Sequence, residues 1–538
     1  MIVLANLLVQ WKVVRFDLTQ DQRHTISPAS KQLVSELKEE VSATVFLSGS
    51  FNSGFTRLSA ATRQLLSELA MYGKLRYKFV NPNDLEAKEM EALQKNLLSR
   101  GLHPTAVYEN NRQGVSSETI IYPFVHLQYA DREQWISLLQ NQKGLSGAEN
   151  INNSIESLEY NLTSHLHSLT SDERKKIVFL EGQGELPEIN TQDVQTALAE
   201  YFDIYRGAIT AEAECLTPFS AVIIADPQQA FSEADKYVID QYLMNGGRIL
   251  WAVNGVQLST QVLTDEGFTP AIGLDLNLTD MLFRYGIRIN QRLVCDIQCL
   301  PIPVDVSRNP DQPQYQPMPW QYAPLLQPNS QSPITTNLSP VSATFCSDLT
   351  PVGEESNIEY QVLLSSSDAT RVVPGLGEVD LSDLSIDRRM FDLSHLPVAM
   401  SMEGKFESVF AHRLTPEGIN TTKQKLSLSE KTRQIVIGAG MLISNELQNG
   451  KPLPAGYDRY SRTQFSNRDF IVNSVLWLTD DKGILQLRQK TIPLRLLNAN
   501  TMQNGITLVL LSAFGLPLLL LMLTAIAVIY IRKRRYAK

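Results

Sequence analysis

Lys176-Ile-Val-Phe-Leu180, followed at once by Glu181-Gly-Gln-Gly-Glu185, is the stretch on which the fold of this chain turns. A continuous apolar run with a polar start and a glycine-rich end has the pattern of a strand buried on both faces of a parallel sheet. The residues that follow repeat the unit. A helix is expected from Thr191 to Phe202, with Asp193 near its start, and Ala221–Ala225 is a second buried strand ending at Asp226-Pro227. Ser232 is placed to cap a helix running to Met244, which Gly246-Gly247 terminate, and Arg248–Val253 is a third strand. This alternation predicts a doubly wound α/β domain with right-handed crossovers. Far downstream, Gln434–Gly438 (QIVIG) and a helix from Asp469 to Leu478 read as the closing strand and helix of the same sheet.

Between these parts the alternation stops. Pro301–Pro340 is rich in proline and includes Pro317-Met-Pro319-Trp320. Proline removes a backbone donor and fixes φ, so this segment is expected to be an extended insertion wrapped on the surface, with neither regular helix nor interior strand. Trp320 and Tyr322 either pack it down or mark a contact surface. Strand signals resume at Tyr360–Leu364 and Pro397–Met402.

Upstream, Ser27–Tyr129 also alternates: a strand at Ala43–Leu47, a helix over Leu58–Tyr72, a strand at Leu75–Val80 and a helix over Leu85–Leu98 ending at Gly101. Two further strands, Thr119–Phe124 and Val125–Tyr129, complete a small α/β domain, thioredoxin-like in outline but without Cys-x-x-Cys. Ile151–Leu169 is a helix whose His165 and His167 fall on different faces, which disfavours chelation and makes them surface histidines.

The far end is different in kind. Ile506–Ile531 carries no charged, amide or histidine side chain and runs directly into Arg532-Lys533-Arg534-Arg535. About 20 apolar residues cross a ~30 Å hydrocarbon core, so this run is long enough to span. Basic residues beside a span tend to stay cytoplasmic, which places the tail inside and the bulk outside. The net charge of −9 then belongs to a body more acidic still, which argues against nucleic acid as a partner. Met1–Val14 is apolar but too short to span, is interrupted by Lys12 and lacks a cleavage site. It reads as the second half of a spanning helix or as an interfacial segment. With 4 cysteines in 538 residues the chain is no disulfide scaffold, although Cys295 and Cys299 are close enough to pair; Cys215 and Cys346 read as buried thiols.

Motifs for chemistry are scarce. The sequence has no Gly-x-x-x-x-Gly-Lys-Ser/Thr phosphate loop, no His-Glu-x-x-His and no Gly-x-Ser-x-Gly elbow. The expectation is a non-enzymatic protein without cofactor or metal. Gly182-Gln183-Gly184-Glu185 alone has a site's position, at a strand's carboxyl end near a topological switch. Its glycines would let a ligand approach the backbone and Glu185 would accept a hydrogen bond; a tight turn with a solvated Glu explains it equally well.

Taken in order, several segments resemble the gliding-motility-associated ABC transporter auxiliary proteins, the GldG-like family. They are Arg15-Phe-Asp-Leu-Thr19 with His24-Thr-Ile-Ser27, Phe179–Glu185, Ile224-Ala-Asp-Pro227, Asp240-Gln-Tyr242 with Gly246-Gly247, and Asn277–Asp280 through Tyr285–Arg288. Glu403-Gly-Lys-Phe406, Gly456-Tyr-Asp-Arg459 and Asn467-Arg-Asp-Phe470 continue the series. The resemblance implies a periplasmic, glutamine-amidotransferase-like α/β domain without its nucleophile and a spanning helix at each end. It also implies a separate ABC permease and ATPase as partners, cell-envelope proteins as further contacts, and association with gliding motility at the inner membrane. One departure is Gly438-Ala-Gly440, where related proteins carry an acidic Asp-Gly-Asp turn. The expected order is a partial membrane segment at 1–14, a small α/β domain at 27–150 and the amidotransferase-like domain at 151–480, with an insertion at about 256–430. A stalk at 481–505, a transmembrane helix at 506–531 and a basic tail at 532–538 complete it.

Overall fold

A short mixed sheet opens the folded chain. β1 (Val41–Val45) pairs in parallel with β2 (Leu75–Phe79) and antiparallel with β5 (Phe124–Tyr129), which pairs with β6 (Arg132–Ser137); β3 (Thr105–Asn110) and β4 (Ser116–Ile121) form a separate ribbon. The computed structural model describes residues 25–489 and 511–536, apart from 50–51, 101, 111–115, 141–145, 172–173, 306, 308–313, 354–357 and 385. The expected membrane segment at 1–14, the cap at Gly101, the first residues of the span from Ile506 and most of the stalk lie outside the described residues.

Helices α1 (Pro28–Ser35), α2 (Ser53–Tyr72) and α3 (Ala87–Ser99) flank this sheet. The single helix expected from Ile151 is two, α4 (Gly147–Glu156) and α5 (Leu158–Thr170), which meet at Ser157, whose hydroxyl donates to the Asn153 carbonyl at 2.8 Å. Ile151, Leu158, Leu162 and Leu166 pack with Val41, Val45 and Leu127, so the boundary expected at residue 150 falls inside a helix belonging to the first core. His165 and His167 are half-buried, not surface residues: α5 is covered on its second side too, and the His165 ring lies 5.8 Å from that of Tyr201.

In the central sheet, β7 (Lys176–Glu181) pairs in parallel with β8 (Asp203–Ala208) on one side and β9 (Ala221–Ala225) on the other. β10 (Ile249–Ala252) continues the parallel set. Period-two alternation assigns the side chains. Ile177, Phe179, Ile223 and Leu250 enter one core with Val194 and Leu198 of α6 (Glu188–Leu198). Val178, Val222, Ile224 and Trp251 enter the other with Val238, Ile239 and Leu243 of α7 (Glu233–Met244). Each such fully buried aliphatic or aromatic side chain contributes about 1.5–3 kcal/mol. Ser232 caps α7 as expected, accepting from the Asp235 N–H at 3.1 Å while Asp235 accepts from the Ser232 N–H at 3.2 Å.

The proline-rich segment overturns its expectation. Cys299–Asp305 (β11) and Tyr315–Pro328 (β12) are strands paired to each other, and β12 joins the central sheet through β13 (Ile358–Ser365) and β14 (Pro397–Gly404) to β15 (Thr432–Ile437). Pro301 faces Pro319 and Pro303 faces Pro317. Opposed residues of an antiparallel ladder alternate between bonded and non-bonded pairs, and opposed prolines fit the non-bonded positions, where no N–H is needed. Trp320 and Tyr322 are buried, so they pack the segment down. β15 runs parallel to β10 and helix α8 (Asn467–Thr479) packs on the first face, as expected of the closing strand and helix. The start of the expected stalk is also part of the body: Leu485 and Leu487 are buried in its core.

The C-terminal unit ends in α9 (Leu516–Tyr536). Ala513–Arg535 has a mean hydropathy of 2.5 with none of its apolar window buried, long and apolar enough to cross a membrane.

Candidate functional site

Four loops leave the carboxyl ends of β7, β9, β10 and β15, and the sequence-predicted loop is one of them. The chain reverses its direction across the sheet at β7, which lies between β8 and β9, so Gly182–Glu185 stands at a switch point. Gly182 and Gly184 have φ of 122° and 74°, the left-handed side that glycine tolerates. The turn this permits folds inward. The Gln183 carbonyl accepts the N–H groups of Gln228 and Gln229 at 2.8 and 2.9 Å, and Glu185 Oε2 accepts the Gln183 N–H at 2.8 Å. Gln183 is buried and its amide donates to Asp235 at 3.3 Å, leaving Gln183 Oε1 and Glu185 Oε1 buried without a hydrogen-bond partner. Burial pushes the Glu185 carboxyl above its ordinary pKa, so it is not the solvated Glu of a plain surface turn.

Sequence reasoning missed the neighbour that matters most. Asp226, on the β9 loop, is 5% exposed and has φ of 55°, unusual for a residue with a Cβ. Asn254 at the end of β10 donates to Asp226 Oδ1 at 2.8 Å and accepts the Gly440 N–H at 2.8 Å. Burial pushes the Asp226 carboxyl up to about 7, with the Gln228 side chain pulling the other way. A Cβ on Gly440 would stand 2.0 Å from Asp226 Oδ1, so no side chain fits there without a shift of the Asp226 carboxylate. The only sequence signal was an Asp closing a buried strand, and Asn254, which donates to its carboxylate, lies 28 residues along the chain.

Burial disfavours the thiolate at Cys295, Cys299 and Cys346. All four cysteines are free thiols, so Cys295 and Cys299 are unpaired; Cys346 is buried and Cys215 half-buried. Burial pushes Cys295 up to about 12 and Cys299 up to about 11, far from a thiolate at neutral pH. No group of three His, Cys, Asp or Glu side chains suited to a metal ion occurs among the described residues.

Residues 174–474, which include all four loops, match the family model described as an ABC-type uncharacterized transport system, the ABC transporter auxiliary family. The chain belongs to this family. Residues 20–128 match a second model, a domain of unknown function (DUF7088). Among solved structures, one titled "mmIFT52 N-terminal domain" is similar at 16% identity and a TM-score of 0.33, covering 57% of this chain and 99% of its own. No curated protein matches the chain. Family membership carries an accessory role in ABC-type transport and association with ABC transporter components.

Proposed function

We propose that this auxiliary protein is a membrane-anchored, non-catalytic subunit of an ABC-type complex, with its α/β body in the periplasm and its basic tail in the cytoplasm. The observation that carries the reading is the uncovered apolar helix Ala513–Arg535, ending in Lys533, Arg534 and Arg535, on a chain of the auxiliary family. Arg532 to Arg535 hold the tail on the cytoplasmic side. The helix packs against a permease, and the body, amidotransferase-like in architecture, relays movements driven by a separate ATPase to cell-envelope partners. The sequence resemblance supports a place in gliding motility. The test is isolation of the native full-length protein in mild detergent after cross-linking. Co-migration with a permease and an ATPase is expected; recovery of the protein alone would overturn the reading.

A second reading, a periplasmic solute- or glycan-binding module at Gly182, Gln183, Gly184 and Glu185, is favoured by the two buried, unpartnered oxygens of Gln183 and Glu185. A sugar or peptide that raises the melting temperature of the full chain, but not of Glu185→Gln, would select it.

A further inference from the structure

The part of the body inserted between β10 and β15 carries an uncovered apolar face that neither reading uses. The short strand Phe268–Pro270 pairs antiparallel with Glu378–Asp380, and Ile272, just beyond it, pairs with Gln257. Exposure alternates along this stretch, as a half-buried strand requires. Thr269 and Ala271 are buried, whereas Phe268, Pro270 and Ile272 are exposed, Phe268 at 43% and Ile272 at 50%. Leu376 adjoins them, its N–H donating to the Ala271 carbonyl at 2.6 Å, and is 87% exposed. A single exposed leucine such as Leu414 is ordinary; four apolar side chains grouped on one ribbon are not.

The backbone holds Leu376 out in solvent. Its φ is 77°, a left-handed conformation in which a bulky side chain is an outlier. Gly375 and Gly377 stand on either side, yet the leucine is the residue that takes the strained position. Further backbone bonds fix the tip: the Gly375 N–H donates to the Gln291 carbonyl at 2.9 Å and the Ala271 N–H to the Gly377 carbonyl at 2.8 Å. A glycine at 376 would release the strain and give up almost no buried surface.

The charges around this face are acidic and unpaired. Asp380 and Glu378 lie opposite Phe268 and Pro270 across the ribbon, and Asp265 and Glu266 end the helix just before it. No Lys or Arg occurs between Arg248 and Arg284, or between Arg371 and Arg388. Of the other acids in these two segments, Asp280 is held by Lys236 and Arg413, Asp383 by Arg371, and Asp387 by Arg389. Among the described residues this leaves Asp265, Glu266, Asp275, Glu378 and Asp380 without an ion pair, against Arg388 alone. A second copy docked about a two-fold axis would bring two sets of Glu378 and Asp380 together. An anionic bilayer surface would repel them. A protein pocket with apolar walls and a rim of Lys or Arg complements both the side chains and the charge.

We propose that Phe268, Pro270, Ile272 and Leu376 are the surface by which this body docks on a protein partner. Leu376 enters an apolar pocket of that partner, and the basic rim of the pocket faces Glu378 and Asp380. The proposal rests on the reading of the chain as a subunit that acts through protein contacts, and gives that contact a place and a chemistry.

The experiment puts the photo-crosslinking residue p-benzoylphenylalanine in place of Phe268, or of Leu414 as a control, in the full-length protein expressed in its native host. After irradiation, adducts are isolated in detergent and the joined peptides are sequenced by mass spectrometry. One partner protein is expected from position 268, joined through an apolar segment flanked by Lys or Arg, and none from position 414. The yield should fall about tenfold in Leu376→Gly, and also when Glu378→Lys and Asp380→Lys are combined. Leu376→Gly should melt no lower than the parent, so that its lost binding is not lost folding; a lower melting temperature would mean that Leu376 serves the fold and would overturn the proposal. Adducts to lipid or to a second copy of the chain, equal yields from position 414, or yields unchanged in the variants would overturn it too. An adduct formed while permease and ATPase fail to co-migrate would remove the proposed complex and leave this surface standing. Co-migration without any adduct from position 268 would do the reverse.

Discussion

At the carboxyl edge of the central sheet a methyl group on Gly440 would stand 2.0 Å from Asp226, whereas at the amino edge a cleft of about 200 Å³ opens beside Tyr201 and Leu485. Open α/β sheets usually place ligands outside the carboxyl ends of their strands. Here that edge is closed by the protein's own side chains: Asn254 ties Asp226 to Gly440, and Gln183 and Glu185 fold inward. The cavity bordering Asn254 is only about 40 Å³. In this sheet the carboxyl edge is thus a packed joint, and the room lies at the other end.

The largest effect should come from crowding the carboxyl edge at Gly438, next to that joint. In Gly438→Ala the new Cβ would meet the Ser347 carbonyl oxygen at 2.1 Å, and this is backbone, held in turn by the Ser347 N–H donating to Gly438 O at 2.6 Å. Neither side can yield cheaply. A loss of about 4–5 kcal/mol is expected, in the exceptional range for one substitution. Gly207→Ala, on β8 with nothing near its Cβ, should instead stabilise by about 0.4–1 kcal/mol. Equal melting temperatures for the two variants would show that the carboxyl edge is not the rigid element described.

A subtler change sharpens the comparison through pH. Asp226 has a pKa of about 7 in the folded chain against an ordinary 3.8, because burial favours its neutral form. Between those values the folded state holds a proton that the unfolded state has released. The stability this confers is complete below about pH 4 and is lost as pH rises through about 7. Asp226→Asn keeps the acceptor for Asn254 and does not titrate, so its advantage over the parent should grow with pH toward at most about 4 kcal/mol. Melting temperatures of both proteins from acid to mildly alkaline pH provide the check. Parallel curves would mean that Asp226 stays charged.

These partners explain what the sequence can and cannot disclose. Buried parallel strands such as Ile177–Leu180 and Ala221–Ala225 announce themselves, because burial on both faces demands an unbroken apolar run. Ser232 does so through a local capping rule. The proline-rich strand Tyr315–Pro328 does not: whether a proline costs a ladder bond depends on which residue faces it, and Pro303 and Pro301 lie on another strand. Ile151–Leu166 has a clear helical face, but periodicity does not name the core that face joins. Of the candidate site, the Gly182–Glu185 turn was legible from its glycines. Asp226 was not, since Asp-Pro after a strand reads as a turn until Asn254 and Gly440 are brought beside it.

The smallest expected effect belongs to the amino edge, where charges close the structure in place of packed backbone. Asp481 bridges Lys175 and Arg248, yet its side chain is 53% exposed and Lys175 is 34% exposed. Burial alone would raise its pKa, but Lys175 and then Arg248 hold it below the ordinary value. A depressed carboxylate contributes stability above its unfolded pKa and loses it as pH falls through the folded one. Solvent screening limits such a pair, so Asp481→Asn should cost only about 0.5–1 kcal/mol near neutral pH, less in high salt, and nothing in acid. The slope at this edge is therefore opposite to that at Asp226, where acid stabilises. If Asp481→Asn cost as much as Gly438→Ala, the amino edge would be as tightly built as the carboxyl edge, and the cleft beside it would be a rigid cavity instead of an accessible one.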